Sequence, residues 1–162
     1  MRLLIFSDSH SGLSFMRRCI RSLSPDGIIH LGDYYDDGQT IHEEFGDLLF
    51  YQVPGNCDRY RAPDFAQEIL IQQIQGVWFY LTHGHLHGVK SGTGNLISAA
   101  RLSGCNAVLY GHTHRADCRQ DDTGMWILNP GSCGYSGGSA GVLEISDGKI
   151  TQCRIIRETD LT

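Results

Sequence analysis

"RLLIFSDSH" (residues 2–10) is an apolar run that stops abruptly in a carboxylate and an imidazole two residues apart. Leu3, Leu4, Ile5 and Phe6 read as a strand buried on both faces. Burying Asp8 and His10 unpaired at its end would cost several kcal/mol. The sequence must therefore supply a partner for them, and the same pattern recurs along the chain.

The strand expected over 27–31 ends in Gly32-Asp33, and the strand at 49–53 runs into Pro54-Gly55-Asn56-Cys57-Asp58. "VWFYLT" (77–82) ends in His83, and "NAVLY" (106–110) ends in Gly111-His112-Thr113-His114. Asp8, Asp33, Asn56, His83 and His112 follow one another at steps of 23 to 29 residues. That is about the ~30 residues of one strand-crossover unit. Open α/β sheets bind their ligands beyond the carboxyl ends of the strands, so five strand ends are expected to deliver polar side chains to one place. The i, i+2 spacing of Asp8/His10 and of His112/His114 puts each pair on one side of an extended segment.

Between these strands, Met16, Cys19, Ile20 and Leu23 mark a helix closed by Pro25. Ile41, Phe45 and Leu48 suggest a second, and 93–104 a third. A strand pair is expected at 68–74 and 77–82, broken at Gly76. The C-terminal third changes period. Segments 116–120, 125–129, 140–145 and 149–156 read as antiparallel strands of one sheet, the last two joined by Asp147-Gly148. The glycine-rich stretch 131–141 is expected to be a mobile loop rather than a linker. The reading is α/β at the front and β-rich at the back, one domain over 1–162.

The bulk composition excludes several classes. With 41% hydrophobic and 19% charged residues, the chain has a globular composition. A net charge of −5 without a basic run argues against strong nucleic-acid binding. No apolar stretch spans a bilayer and no signal-peptide pattern is present, so a cytoplasmic protein without membrane association is expected. The six cysteines form no CxxC pair and are expected as free thiols.

The ordered set D-x-H, GD, GN-x-D, H-G-H and GH-x-H resembles the calcineurin-like metallophosphoesterases. The GNCD variant and "NPGS" (129–132) are most similar to their YfcE-type phosphodiesterase branch. The resemblance implies an α/β/β/α sandwich of two mixed sheets flanked by helices, with a dinuclear metal centre. It assigns Asp8, His10 and His114 to one ion, Asn56, His83 and His112 to the other, and Asp33 to both. The expected reaction is hydrolysis of a small-molecule phosphodiester by a metal-bridging hydroxide, with Asp33, Asn56 and His112 around the nucleophile. Nitrogen and oxygen donors without thiolate suit Mn²⁺ first, with Fe²⁺, Co²⁺, Ni²⁺ or Zn²⁺ as alternatives. Two such ions outweigh both carboxylates and a bridging hydroxide by one positive charge, which attracts a phosphate ester to an acidic protein.

Much of the superfamily carries His where this chain has Cys57. A thiol with a reference pKa of about 8.5 is a poor proton donor to a leaving group, so turnover is expected to depend on the metals and on a good leaving group. Cys57 and Asp58 mark the leaving-group side, Asp58 orienting a neighbour. His30 reads as a buried support, His85 as a hydrogen-bonding neighbour of the centre, His87 as rim and His42 as a solvated helix residue. Asp36 and Asp37 read as turn polarity, and Arg59 and Arg61 as phosphate contacts or solvated charges. Ser132 lacks a nucleophile-elbow context, and its loop is expected to brace the metal-binding turns. The alternative function is a non-catalytic scaffold like the retromer subunit of this fold, and a homo-oligomer through an exposed sheet edge is compatible with either.

Overall fold

The computed structural model describes residues 1–134 and 137–161. Strand β1 (Arg2–Phe6) is buried on both faces, as its composition requires. It pairs in parallel with β2 (Gly27–His30), which pairs in parallel with β3 (Leu49–Gln52). The crossovers are α1 (Leu13–Leu23) and α2 (Tyr35–Glu44). Two later strands, β9 (Ser139–Ser146) and β10 (Lys149–Arg157), complete a mixed sheet in the order β10-β9-β1-β2-β3.

The second sheet contains the hairpin β4 (Ile69–Ile74) and β5 (Val77–Thr82), then β6 (Ala107–Leu109), β7 (Asp117–Gln120) and β8 (Trp126–Asn129). Its order is β4-β5-β6-β8-β7, with α3 (Gly94–Leu102) as the crossover from β5 to β6. Alternation sorts the side chains. Leu3 and Ile5 of β1 meet Phe79, Leu81 and Leu109 between the sheets, whereas Leu4 and Phe6 face Met16, Cys19 and Ile41. Leu96 and Ala100 of α3 cover Tyr80, Val108 and Ile127 on the outer face of the second sheet. The result is two mixed sheets packed face to face, with helices outside.

Four expectations are corrected. The C-terminal strands do not share one sheet: β7 and β8 join the second sheet, β9 and β10 the first, and β8 runs parallel to β6. Local turn signals report a hairpin's antiparallel partner and are silent on the parallel neighbour contributed by distant sequence. Helix α2 begins directly after Asp33-Tyr34 and ends before Phe45 and Leu48, which pack on the core from the following turn. His42 is stacked on Phe50, with ring centroids 4.5 Å apart, rather than solvated. Cys118 of β7 is disulfide-bonded to Cys153 of β10, with Cα atoms 6.6 Å apart. The bond joins edge strands of different sheets, a pairing that sequence spacing does not reveal. Cys19, Cys57, Cys105 and Cys133 are free thiols.

The glycine-rich stretch holds a further difference. Ser132 and Cys133 are buried and bonded to the β1 end, and Ser139–Gly141 lie in β9. The expected mobile loop is thus anchored on both sides, and Tyr135 and Ser136 lie outside the described residues. Among the described residues, no helix is long and apolar enough to cross a membrane.

Candidate metal centre

The carboxyl ends of β1, β2, β3, β5 and β6 carry the five polar segments expected from the sequence. The backbone there leaves ordinary conformations. Asp8, His10, Asp33, His112 and His114 all have φ between 42° and 68°. Left-handed φ costs an L-residue about 1–2 kcal/mol, and such strain persists only where surrounding structure enforces it.

The enforcing structure is a set of buried hydrogen bonds. Asp58, fully buried, accepts the backbone N–H groups of Asp33 (2.8 Å), Tyr35 (2.8 Å) and Gly55 (2.7 Å), tying the β2 and β3 ends together. Asp37 accepts from the Ser9 hydroxyl and the Ser11 N–H, both at 2.7 Å, which fixes the Asp8–His10 turn. Ser7 Oγ donates to Asp8 Oδ2 at 2.6 Å, and the His112 N–H reaches the same oxygen at 3.1 Å. Ser132 Oγ donates to the Asp8 carbonyl at 2.8 Å, so the NPGS turn does brace this site. Two glycines are required by close approach: a Cβ on Gly134 would lie 1.9 Å from Ser9 O, and one on Gly111 would lie 1.9 Å from Ser7 Oγ. The bracing roles of Ser9 and Asp37 escaped sequence reading; their one signal was polar identity near strand ends.

The ligand candidates converge. Donor atoms of Asp8, His10 and His114 lie within 4.8 Å of one another, as do those of Asp8, Asp33 and His83. His114 Nε2 is 3.0 Å from Asp8 Oδ1. His83 Nε2 is 3.2 Å from Asn56 Oδ1, 3.5 Å from Asp33 Oδ1 and 3.9 Å from Asp8 Oδ1. His83 Nδ1 donates to the Leu31 carbonyl at 2.7 Å, which turns Nε2 toward the carboxylates. The His112 ring stands 5.0 Å from that of His83. Asp8 is the carboxylate common to both triads, and Asp33 belongs to the second.

These residues fit divalent cations. Asp8 Oδ1 is buried without a well-formed hydrogen bond, its nearest polar neighbours being His114 Nε2 at 3.0 Å and His83 Nε2 at 3.9 Å, and a cation among these atoms would offset the cost of burying it. Burial, with the nearby His83 and Lys90, pushes the His112 imidazole down to about 4, so it is in the neutral, ligating form at pH 7. Burial opposes ionisation of Asp33, yet His83, the Cys57 N–H and thiol, and His10 together hold its carboxyl below the usual range.

The remaining candidates fall around this centre. Cys57 is exposed and its N–H donates to Asp33 Oδ1 at 2.9 Å. Desolvation of the sulfur and the Asp33 carboxylate push the thiol up to about 11, so it stays protonated. His30 is a buried support: Gly32 N–H approaches Nδ1 at 3.4 Å and Nε2 lies 3.1 Å from Ser9 Oγ. His85 stands with its ring 5.5 Å from His83 and 6.1 Å from His112, and lines a cleft of ≈ 520 Å³ together with Asn56, Arg59 and Glu68. His87 contacts the Tyr80 hydroxyl at 3.0 Å. Arg61 pairs with Asp36 at 2.9 Å and lies over the Tyr34 ring, while Arg59 lies over Tyr60.

Residues 1–148 match the family described as the calcineurin-like phosphoesterase superfamily domain. The chain is 35% identical over 135 residues to "Probable metallophosphoesterase YsnB" of Bacillus subtilis, covering 82% of this chain and 75% of that protein. It is 29% identical over 163 residues to the phosphodiesterase MJ0936 of Methanocaldococcus jannaschii, covering 89% and 93%. A zinc complex of Vps29 from Entamoeba histolytica superposes with a TM-score of 0.73 at 20% identity, covering 97% and 99%. That last likeness is one of fold.

Proposed function

Because the chain belongs to the calcineurin-like phosphoesterase superfamily, we propose that it is a phosphodiesterase working through two divalent ions held by seven side chains. Asp8, His10 and His114 would hold the first ion, Asn56, His83 and His112 the second, and Asp33 both. The observation that carries this reading is the convergence of the buried Asp8 and Asp33 carboxylates with the His10, His83 and His114 imidazoles at ligand spacing. When bound, such a pair supplies an activated water and charge stabilisation for in-line displacement at phosphorus. The chain's own contribution is to hold the His112 imidazole neutral, to fix the Asp8–His10 turn through Asp37, and to fix Asp33 through Asp58.

Mn²⁺ is the proposed native ion, on donor chemistry, and a small phosphodiester the substrate. No side-chain nucleophile is needed, and the protonated Cys57 thiol leaves departure of the alcohol to the ions and to its own stability. The scaffold alternative has the Vps29 likeness in its favour, but a scaffold has no need of strained backbone at five of the seven candidate ligands. Mn²⁺-dependent hydrolysis of bis(p-nitrophenyl) phosphate, abolished by Asp33→Asn and by His112→Ala, tests the reading. Inactivity of the wild-type chain with Mn²⁺, Co²⁺, Ni²⁺ and Zn²⁺ on aryl mono- and diesters would move the assignment to the scaffold.

A further inference from the structure

A second cleft, of ≈ 480 Å³, is lined by Thr113 and Arg115, which alternate in sequence with His112 and His114. Its wall also carries Lys90, Tyr110 and Asp117. Two features set it apart from the rest of an acidic surface. The first is charge. Asp117 is engaged by Arg119 at 2.9 Å, whereas the exposed Lys90 ammonium and Arg115 guanidinium have no carboxylate partner among the described residues. The second is the direction of the Thr113 hydroxyl. Asn129 Oδ1 accepts the Gly131 N–H at 2.9 Å, which orients the amide so that Nδ2 donates to the Gly111 carbonyl and to Thr113 Oγ1, each at 3.0 Å. Thr113 Oγ1 also accepts the Arg115 N–H at 3.3 Å. With both acceptor directions of this oxygen used, its hydrogen is left to donate, and nothing among the described residues accepts it. The cleft therefore offers three donors, two of them cationic, and two of the three, Thr113 and Arg115, directly neighbour candidate metal ligands in the chain.

We propose that this cleft is an anion subsite that receives one alcohol arm of the diester, so that the preferred substrates carry a second phosphate or carboxylate group on that arm. The proposal rests on the phosphodiesterase reading above and adds to it the charge of the substrate. Lys90 and Arg115 attract the distal anion, and the Thr113 hydroxyl hydrogen-bonds to it. Attack by water forms a new P–O bond and breaks the bond to one alcohol oxygen. The subsite takes no part in that exchange and acts on KM.

The test uses p-nitrophenyl phosphodiesters of three-carbon alcohols ending in methyl, carboxylate or phosphate, so that p-nitrophenolate departs in every case. With the Mn²⁺-loaded protein, the charged arms lower KM about tenfold or more relative to the methyl arm at nearly equal kcat. The advantage shrinks as NaCl rises from about 50 to about 300 mM. The two charged arms show which anion is preferred, and a gain for either supports the subsite. K90A/R115A abolishes the gain, bringing kcat/KM for the charged-arm diesters down to that for the methyl-ended one. Equal kcat/KM across the series, or a gain that survives the double variant, overturns the proposal. Titration calorimetry with propane-1,3-bisphosphate against propyl phosphate reads the cleft without turnover. Preference for the bisphosphate, lost in K90A/R115A, upholds the subsite even if no diester is hydrolysed, in which case the phosphodiesterase reading alone falls. Equal binding of the two overturns the subsite.

Discussion

Asp58→Asn separates bracing from catalysis at the position beside Cys57. The native carboxylate meets three backbone donors, two at Oδ2 (Asp33 and Gly55) and one at Oδ1 (Tyr35). An amide has one acceptor oxygen. Set to serve Asp33 and Gly55, it turns its NH₂ toward the Tyr35 N–H, leaving two buried donors facing each other. Losing one charge-assisted bond and stranding two donors costs roughly 3–4 kcal/mol, a large share of the 5–15 kcal/mol that holds a typical domain folded. Guanidinium denaturation followed by Trp fluorescence measures it. Because Asp58 also fixes the Asp33 backbone, Mn²⁺ affinity should weaken about 10-fold or more. A loss below about 1 kcal/mol with unchanged Mn²⁺ binding but abolished turnover would refute the bracing argument and give Asp58 a direct part in the reaction on the leaving-group side.

Three further outcomes follow from other parts of the structure. Burial pushes His30 down to about 4, below about 6.5 in an unfolded chain. Its contribution is thus complete above pH 6.5 and is lost as pH falls towards 4, because the unfolded chain binds the proton first; the loss amounts to ~3 kcal/mol. The slope of stability against pH in that window should flatten by about one proton in His30→Leu. Reducing the Cys118–Cys153 bond, which closes 35 residues, should lower stability by about 3–4 kcal/mol, read as a shift in denaturation midpoint with dithiothreitol and absent in Cys153→Ser. Cys57→His should raise kcat roughly 100-fold on diesters with alkyl leaving groups and leave p-nitrophenyl esters nearly unchanged; Cys57→Ala should match wild type on both, and no gain from His would remove the leaving-group reading of this position.

The residues show how far sequence reading reached. Strand ends were legible because parallel strands carry short apolar runs, and a carboxylate or imidazole closing such a run is costly without a partner. Asp8, Asp33, His83 and His112 were found that way. What stayed hidden depends on contacts between distant segments. Asp37 reads from the sequence as turn polarity, yet it holds Ser9 and Ser11, 26 to 28 residues earlier in the chain. Cys118 and Cys153 carry no spacing signal because their strands meet only after two sheets have packed. The allocation of β7 and β8 to one sheet and β9 and β10 to the other failed for the same reason: each hairpin is local, but the strand it docks on is not. Thr113 carries no signal of its own between two histidines, because the direction of its hydroxyl is set by the Asn129 amide from 16 residues further along the chain.

The central claim is that seven side chains from five strand ends hold two divalent ions. Equilibrium dialysis of the metal-free protein against Mn²⁺, followed by elemental analysis, tests it directly. The account predicts two ions per chain for the wild type and no more than one for Asp33→Asn. A wild-type chain that retains one ion or none at saturating Mn²⁺ and the other divalent ions would contradict it.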